Sequence, residues 1–323
     1  MGRFAIKLKV LITGASGYLG GRIAQNFAKR NQLEVRLTSR NHLNRFDSND
    51  VDFRSIEWNS STNLESICEG MDVIIHLAGM NAQESSENPV GSYEVNILNT
   101  ARLLDASVKK GVKKFVYFST AHVYANPLVG EFTEESVVKN FHPYAASHKA
   151  AEDILKFYAS LGKIDAYILR LSNAYGPPIS IDVNCWNLLV NDLCRQAVVQ
   201  KKLVLKSNGM QKRDFVSIAD VIQALDLFLS ENKLSNSHKI FNLGGDWAIS
   251  VLEMAILIQK RAEIILGLKP ALERKEETQS GEVQDLFYNI EKIKTLGFRV
   301  TQNKTEEIDD LLQFCKENFQ HNI

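Results

Sequence analysis

From Lys7 onward the chain alternates short apolar runs with longer stretches whose apolar residues recur every three or four positions. The short runs are Lys7–Thr13, Glu34–Thr38, Arg54–Glu57, Asp72–Leu77, Lys113–Ser119 and Ala166–Leu171. Their length and their Val, Ile, Leu, Phe and Tyr content predict strands. Tyr18–Arg30, Val90–Lys110 and Ser147–Leu161 carry helical spacing instead. Strands alternating with helices predict parallel β-α-β units, and the apolar strand interiors suit a sheet covered on both faces. After Gly176-Pro177-Pro178 the rhythm changes, because two prolines interrupt regular structure. Beyond them the pattern predicts a helix at Trp186–Gln200, strands at Lys202–Leu205, Arg213–Ser217 and Lys239–Leu243, and a helix from Ala219. Amphipathic Ser250–Leu266 and Lys304–Phe319 leave the C-terminal segment mostly helical.

The expected fold class is α/β: a doubly wound parallel sheet with helices on both faces, plus a smaller mixed α/β C-terminal lobe. Residues 1–176, joined by parts of 213–245, are expected to form the sheet domain, and 177–323 mainly a substrate-binding lobe. The cleft between such lobes is the expected place for a site.

Composition narrows the functional classes. The 323 residues are 45% hydrophobic and 24% charged, an ordinary globular balance and enough chain for two lobes. Lys+Arg and Asp+Glu both number 38, so the formal net charge is zero and no basic block points to nucleic acid or a membrane surface. Any anionic ligand must therefore be held by a local arrangement. Cys68, Cys185, Cys194 and Cys315 are scattered without a CxxC pair, which argues against a zinc site or a disulfide framework and predicts free thiols and no metal. No apolar run approaches the ~18 residues of a membrane span. Met1–Lys7 lacks a signal-peptide core, and Ile6 stands where myristoylation needs Ser or Thr, so the expected location is cytoplasmic.

The chemistry begins at Thr13-Gly14-Ala15-Ser16-Gly17-Tyr18-Leu19-Gly20, directly after the first strand and opening the first helix. One glycine allows the tight turn, one admits a pyrophosphate to the backbone, and one lets helix and strand pack closely. The helix N-terminus supplies free N–H donors and the positive end of its dipole. This context, strand before and helix after, makes the glycine triplet a dinucleotide-binding signal, with Gly14, Ser16, Gly17, Tyr18, Leu19 and Gly20 as expected contacts. An NAD site usually places Asp or Glu at the end of the second strand. Here that strand ends Leu37-Thr38-Ser39-Arg40, a small hydroxyl followed by a guanidinium that suits a 2′-phosphate. NADP(H) is therefore favoured over NAD(H), with Ser39 and Arg40 as the selecting residues.

The order and spacing of later motifs resemble the extended short-chain dehydrogenase/reductases, specifically their nucleotide-sugar epimerase/dehydratase branch, over essentially the whole chain. The resemblance implies a Rossmann-type fold. Glu57-Trp58 is similar to the pair bordering the adenine, and His76-Leu77-Ala78-Gly79 to the segment against the ribose and nicotinamide half, which brings in Leu77, Ala78 and Gly79. Asn96 matches an amide that orders the active site. Ser119-Thr120-Ala121-His122-Val123-Tyr124 matches the segment presenting the catalytic hydroxyl, here Thr120, and Pro143-Tyr144 matches the catalytic tyrosine. Arg170-Leu171-Ser172-Asn173-Ala174-Tyr175-Gly176-Pro177 is similar to the segment whose Asn meets the diphosphate. Arg213-Asp214-Phe215-Val216 is similar to the segment whose Arg binds the nucleotide's phosphates, and Phe241-Asn242-Leu243-Gly244-Gly245 also fits. Thr120, Asn173 and Arg213 are thus the expected substrate contacts. The implied reaction is hydride transfer at a sugar carbinol, commonly C4, on a nucleotide-diphosphate sugar, with Tyr144 handling the hydroxyl proton and Thr120 aligning the oxygen.

Three departures matter. Such enzymes carry Lys four residues after the tyrosine, to charge-stabilise the phenolate and hold the coenzyme; here that position is His148 and Lys149 comes fifth. Four helical steps return to within about 40° of the starting face, while five overshoot by about 140°. Ala150-Ala151-Glu152 keeps register, so His148 is expected to take the role, and its reference pKa near ~6.5 gives it an uncertain charge at neutral pH. Gln279 in Thr278-Gln279-Ser280-Gly281-Glu282 stands where a second phosphate-binding Arg is expected. Ala121 and His122 replace the Asp-Glu pair of the 4,6-dehydratases, which argues against dehydration. Epimerisation is expected first, an NADPH-dependent 4-ketoreductase second, and a non-catalytic dinucleotide-binding sensor or assembly protein is the alternative of another class. A homodimer through Val90–Lys110 and Ser147–Leu161 is implied by the resemblance.

Overall fold

The structure, a computed structural model, describes residues 7–39, 46, 51–230, 238–275 and 285–319. In chain order it runs β1 (Leu8–Thr13), α1 (Tyr18–Ala28), β2 (Leu33–Ser39), β3 (Asp52–Ser55), α2 (Ser61–Cys68), β4 (Val73–His76), α3 (Ala82–Glu87), α4 (Pro89–Tyr93), α5 (Asn99–Lys109) and β5 (Lys114–Thr120). It continues with β6 (Gly130–Phe132), α6 (Pro143–Ser160), β7 (Asp165–Leu171), β8 (Asn173–Tyr175), α7 (Leu189–Val199), β9 (Lys202–Leu205), β10 (Lys212–Ser217), α8 (Ile218–Ser230) and β11 (His238–Leu243). The last elements are β12 (Ala248–Ser250), α9 (Val251–Leu266), β13 (Ala271–Arg274), β14 (Leu286–Tyr288), α10 (Glu291–Lys294) and α11 (Glu306–Phe319).

The chain packs as two compact units: one of Met1–Asn126, Val137–Leu171 and Leu225–Phe241, the other of Pro127–Ser136, Ser172–Ala224 and Asn242–Ile323. The first is built on a seven-stranded sheet in the order β11-β7-β5-β4-β1-β2-β3. β1 pairs in parallel with β2 on one side and β4 on the other, so the strand order reverses beside β1. This is the switch point of a doubly wound sheet, where a crevice opens beyond the strand C-termini. Val10, Leu11, Ile12, Ile74, Ile75, Phe115 and Val116 have no exposed surface, which is why β1, β4 and β5 read as unbroken apolar runs. Leu103, Leu104, Ala151 and Leu155 from α5 and α6 close one face over Phe115 and Ile168.

Two elements differ from the sequence pattern. The helical spacing of Val90–Lys110 does not give one helix: α4 passes into a π-turn at Glu94–Leu98 before α5 begins. The segments before and after the π-turn each keep helical spacing, so periodicity reads them as one run. The strand expected at Arg54–Glu57 lies earlier, at β3, because Glu57 and Trp58 belong to the turn that leads to α2.

The second unit packs α7, α9 and α11 around Leu193, Cys194, Met254, Ile258, Leu311 and Leu312. Its strands form small sheets, β12-β10-β8, β13-β9 and β14-β6, so its C-terminal part holds more strand than its helical periodicity suggests. All four cysteines are free and buried. No helix among the described residues is long and apolar enough to cross a membrane.

Candidate active site

At the end of β1 the chain turns at Gly14, whose φ of +71° is left-handed; a Cβ there would stand 2.7 Å from the Ala78 nitrogen. A Cβ on Gly20 would fall 2.1 Å from the Gly14 carbonyl oxygen, which gives the third glycine its packing role. Gly17 is the N-cap of α1 and lends it no side chain, and the first turn carries no acidic residue. A helix N-terminus with a glycine cap and no acid in its first turn suits a pyrophosphate. Ser39 ends β2 and donates to the exposed Ser16 of the loop at 3.2 Å. Arg40 lies outside the described residues, as does Thr278–Glu282. Glu57 is exposed and Trp58 half-buried, the latter 6.1 Å edge-on to His76.

Asn96 sits in the π-turn and is buried. Its Oδ1 accepts from the Met80 N–H at 2.8 Å and its Nδ2 donates to Ser147 Oγ at 2.9 Å. Ser147 in turn donates to the Tyr144 carbonyl at 3.0 Å, so the amide ties the segment after Leu77-Ala78-Gly79 to the first turn of α6. The N-cap of that helix is His142, whose Nδ1 accepts from the Tyr144 N–H at 3.2 Å.

Thr120 ends β5, and its hydroxyl accepts from the His122 N–H at 3.1 Å. Burial pushes the Tyr144 phenol above its ordinary value of 10.0, and the nearby Thr120 hydroxyl pulls the other way. α6 begins regularly at Pro143, so His148 returns to the Tyr144 face, with ring centroids 4.6 Å apart and the rings edge to face at 74°. Lys149 points elsewhere and pairs with Asp153. His148 thus lies on the Tyr144 face, and its charge, uncertain from sequence, is settled by burial, which pushes its pKa down to about 4, so it is neutral near pH 7.

Residues outside the expected catalytic and binding set frame this group. Tyr117 meets His148 Nδ1 at 2.7 Å. His76 is held by Thr13 at 2.6 Å and Thr100 at 2.9 Å, and burial pushes its pKa down to about 3. Arg170 forks onto buried Glu152 at 3.0 and 2.7 Å and donates to the Tyr124 hydroxyl at 2.9 Å. Composition carries no signal for these pairs, since each partner is distant in sequence.

In the second unit, Asn173 on β8 pairs in register with Phe215 on β10, and its Nδ2 donates to the Asp214 carbonyl at 2.9 Å. Arg213 on β10 is half-buried and has no hydrogen-bond or ion-pair partner among the described residues. Burial alone pushes its guanidinium pKa down, the condition a bound anion relieves. Asp214, next to it, is buried and accepts from Ser172 Oγ at 2.6 Å and from the Gly245 and Trp247 N–H groups at 3.0 Å, which anchors β10.

A doubly wound sheet, a glycine turn under an uncapped helix, and a Thr–Tyr pair beyond β5 define a dinucleotide-binding enzyme of the short-chain dehydrogenase/reductase type. Residues 10–244 match the model of the NAD dependent epimerase/dehydratase family, and the chain belongs to that family. The chain is 29% identical over 273 residues to a dTDP-D-glucose 4,6-dehydratase of Dictyostelium discoideum, which covers 76% of this chain and 60% of that protein. It is 30% identical over 268 residues to the mouse dTDP-D-glucose 4,6-dehydratase, covering 79% of this chain and 70% of that protein. An uncharacterized UDP-glucose epimerase of Bacillus subtilis is 28% identical over 306 residues, covering 90% and 92%. Among solved structures, UDP-glucose 4-epimerase of Thermotoga maritima with UDP-glucose superposes with a TM-score of 0.80 at 21% identity, covering 96% of this chain and 99% of that one. UDP-glucuronic acid 4-epimerase of Bacillus cereus, in complex with UDP-glucuronic acid and NAD, gives 0.78 at 23% identity, with the same coverage of 96% and 99%. These structural likenesses establish the fold.

Proposed function

We propose that the chain is a nucleotide-diphosphate-sugar epimerase acting at C4 through a bound nicotinamide dinucleotide. The observation that carries the proposal is the buried Tyr144 phenol near the Thr120 hydroxyl, with the His148 ring 4.6 Å away one helical turn on. The cradle fits the coenzyme, because the places a Cβ would fill at Gly14 and Gly20 are closed to any other residue and α1 is uncapped. Bound there, the dinucleotide supplies the hydride acceptor and donor. Tyr144 takes the proton of the sugar hydroxyl or returns it, and Thr120 holds the reacting oxygen in line. Arg213, lacking a partner among the described residues, meets the nucleotide's phosphates, and Asn173 assists. The curated relatives, named as epimerases and dehydratases of nucleotide sugars, support this substrate class. The absence of the Asp-Glu pair at Ala121 and His122 supports epimerisation over dehydration.

NADP(H) remains our proposal over NAD(H), on Ser39 at the end of β2 where an acid would meet a 2′-hydroxyl. A homodimer is proposed with it, since Val90, Tyr93 and Leu98, and Phe157 and Leu161 on α6, are exposed apolar residues. A second reading, reduction of a 4-keto sugar with exchanging NADPH, draws support from the raised pKa of Tyr144, whose phenol keeps a proton to give.

The deciding experiment mixes the protein and either coenzyme with UDP-glucose, UDP-glucuronic acid and dTDP-glucose in D2O and follows C4 by NMR. Inversion without solvent deuterium at C4 is expected, since the hydride returns to the same carbon. Consumption of NADPH with a keto sugar, and no inversion, would move the assignment to a reductase. Tight coenzyme binding with no turnover of any nucleotide sugar would make the chain a non-catalytic binder.

A further inference from the structure

The residue in the lysine's place sits in a more constrained setting than its register alone suggests. His148 turns Nδ1 toward the hydroxyl of Tyr117, 2.7 Å away on β5, with ring centroids 5.7 Å apart. Tyr117 is buried, and among the described residues its hydroxyl's one hydrogen-bond partner is His148. On its other side Tyr117 stacks on His76, 5.8 Å between centroids at 27°, and His76 is pinned by Thr13 and Thr100. The phenol ring is therefore clamped between two imidazoles.

The proton count in this stack has one consistent solution. A phenol carries one proton, and burial with nearby Glu152 and Tyr144 pushes Tyr117 well above its ordinary 10.0, so it keeps that proton. A neutral imidazole carries one N–H and one lone pair. If Nδ1 of His148 held the hydrogen, it would donate to the phenol oxygen, and the phenol proton would be buried with nothing to accept it, at a cost of about 1–3 kcal/mol. If Tyr117 donates to Nδ1 instead, both groups are satisfied and the imidazole hydrogen sits on Nε2. Nε2 has no partner among the described residues and is not one of the fully enclosed unpartnered atoms, so it can meet a ligand oxygen.

The charged groups around the pair do not disturb this. Glu152 is the carboxylate near enough to favour an imidazolium, and it is held by the Arg170 fork and by Ser119 Oγ at 2.6 Å. Lys149 is drawn off by Asp153, and Lys156 by Asp153 and Glu152. His76 is itself neutral near pH 7.

We propose that Tyr117 is a positioning residue that holds His148 in its Nε2–H tautomer, so that position 148 offers a bound dinucleotide a neutral hydrogen-bond donor in place of a cation. The inference rests on the dinucleotide reading above for the identity of the ligand, and on the protein alone for the tautomer. Sequence register placed His148 beside Tyr144; it could not orient the ring.

The test is long-range proton–nitrogen NMR of 15N-histidine-labelled protein without coenzyme, with His148 assigned by the signal lost in His148→Gln. A pyridine-type Nδ1 and a pyrrole-type Nε2 are expected, unchanged between about pH 5.5 and 8. An imidazolium in that range, or the hydrogen on Nδ1, would overturn the proposal. Tyr117→Phe, checked for folding by circular dichroism, is expected to mix the tautomers and to weaken dinucleotide binding by about 3- to 10-fold. In a His148→Gln background, whose amide donates without help from Tyr117, the same substitution is expected to leave the Kd unchanged. An equal loss in both backgrounds would make Tyr117 a packing residue only and sink the positioning role. A wild-type protein that binds neither NAD nor NADP would remove the function proposed above, whereas the coenzyme-free spectrum judges the tautomer independently.

Discussion

Gly14 answers two demands at once: a left-handed φ of +71°, and a neighbour 2.7 Å from where a side chain would begin. Gly14→Ala should therefore cost about 1–3 kcal/mol for the backbone alone and abolish tight dinucleotide binding, measured by the urea midpoint and by titration with NADP. Tyr144 makes a different kind of demand, because its phenol is replaceable sterically but not chemically. Tyr144→Phe should lower kcat on the accepted nucleotide sugar by about 10²- to 10⁴-fold with coenzyme Kd within a factor of about two. An equal fall in coenzyme affinity would instead give the ring a structural role. At this scale the sequence was most legible. Thr120 and Tyr144 are legible through the family resemblance, and helical geometry puts His148 rather than Lys149 on the tyrosine's face. Tyr117 was not legible: every residue from Phe115 to Thr120 is buried, so alternation along β5 cannot say which side chain faces α6.

Among the elements, α6 carries the largest share of the site and is held at its N-terminus and at its middle. Its N-terminus is capped by His142 and tied to the π-turn through Ser147 and Asn96. Its middle is locked by Glu152, which is fully buried against Arg170. Removing one partner of such a pair leaves an unpaired charge in the interior. Arg170→Met should thus destabilise the protein by about 3–5 kcal/mol, read as a lower denaturation midpoint, and Glu152→Gln in the same chain should recover part of it. No recovery would mean that Arg170 acts through its stacking on Tyr124, 4.8 Å away, more than through its charge. The π-turn escaped the hydrophobic pattern because the segments on either side each keep helical spacing, and the inserted residue falls between them.

For the molecule as a whole, the two buried neutral histidines make stability depend on pH. Both have an ordinary value of 6.5, lowered by burial to about 3 for His76 and to about 4 for His148. The unfolded chain therefore binds protons that the native one does not. Their contribution is fully present above about pH 6.5 and is lost as pH falls toward about 4, with a slope of about 1.4 kcal/mol per pH unit for each histidine. Urea midpoints measured at pH 7 and pH 5 should show the loss, and His76→Asn should shrink it. An unchanged loss in that variant would shift the acid sensitivity to other groups.

By itself the sequence determined the doubly wound sheet, the glycine turn and the register of Tyr144 and His148. Each is a local property: strand length, a φ that only glycine adopts readily, and the 3.6-residue repeat of a helix. Tertiary structure alone decided the charge and orientation of His148. Burial made it neutral, and Tyr117, from a strand 31 positions earlier, faces its Nδ1. It also decided that Arg170 is held by Glu152 while Arg213 has no partner among the described residues. Desolvation and pairing depend on which distant side chains the fold brings within hydrogen-bond reach, and no reading of neighbours along the chain contains that information.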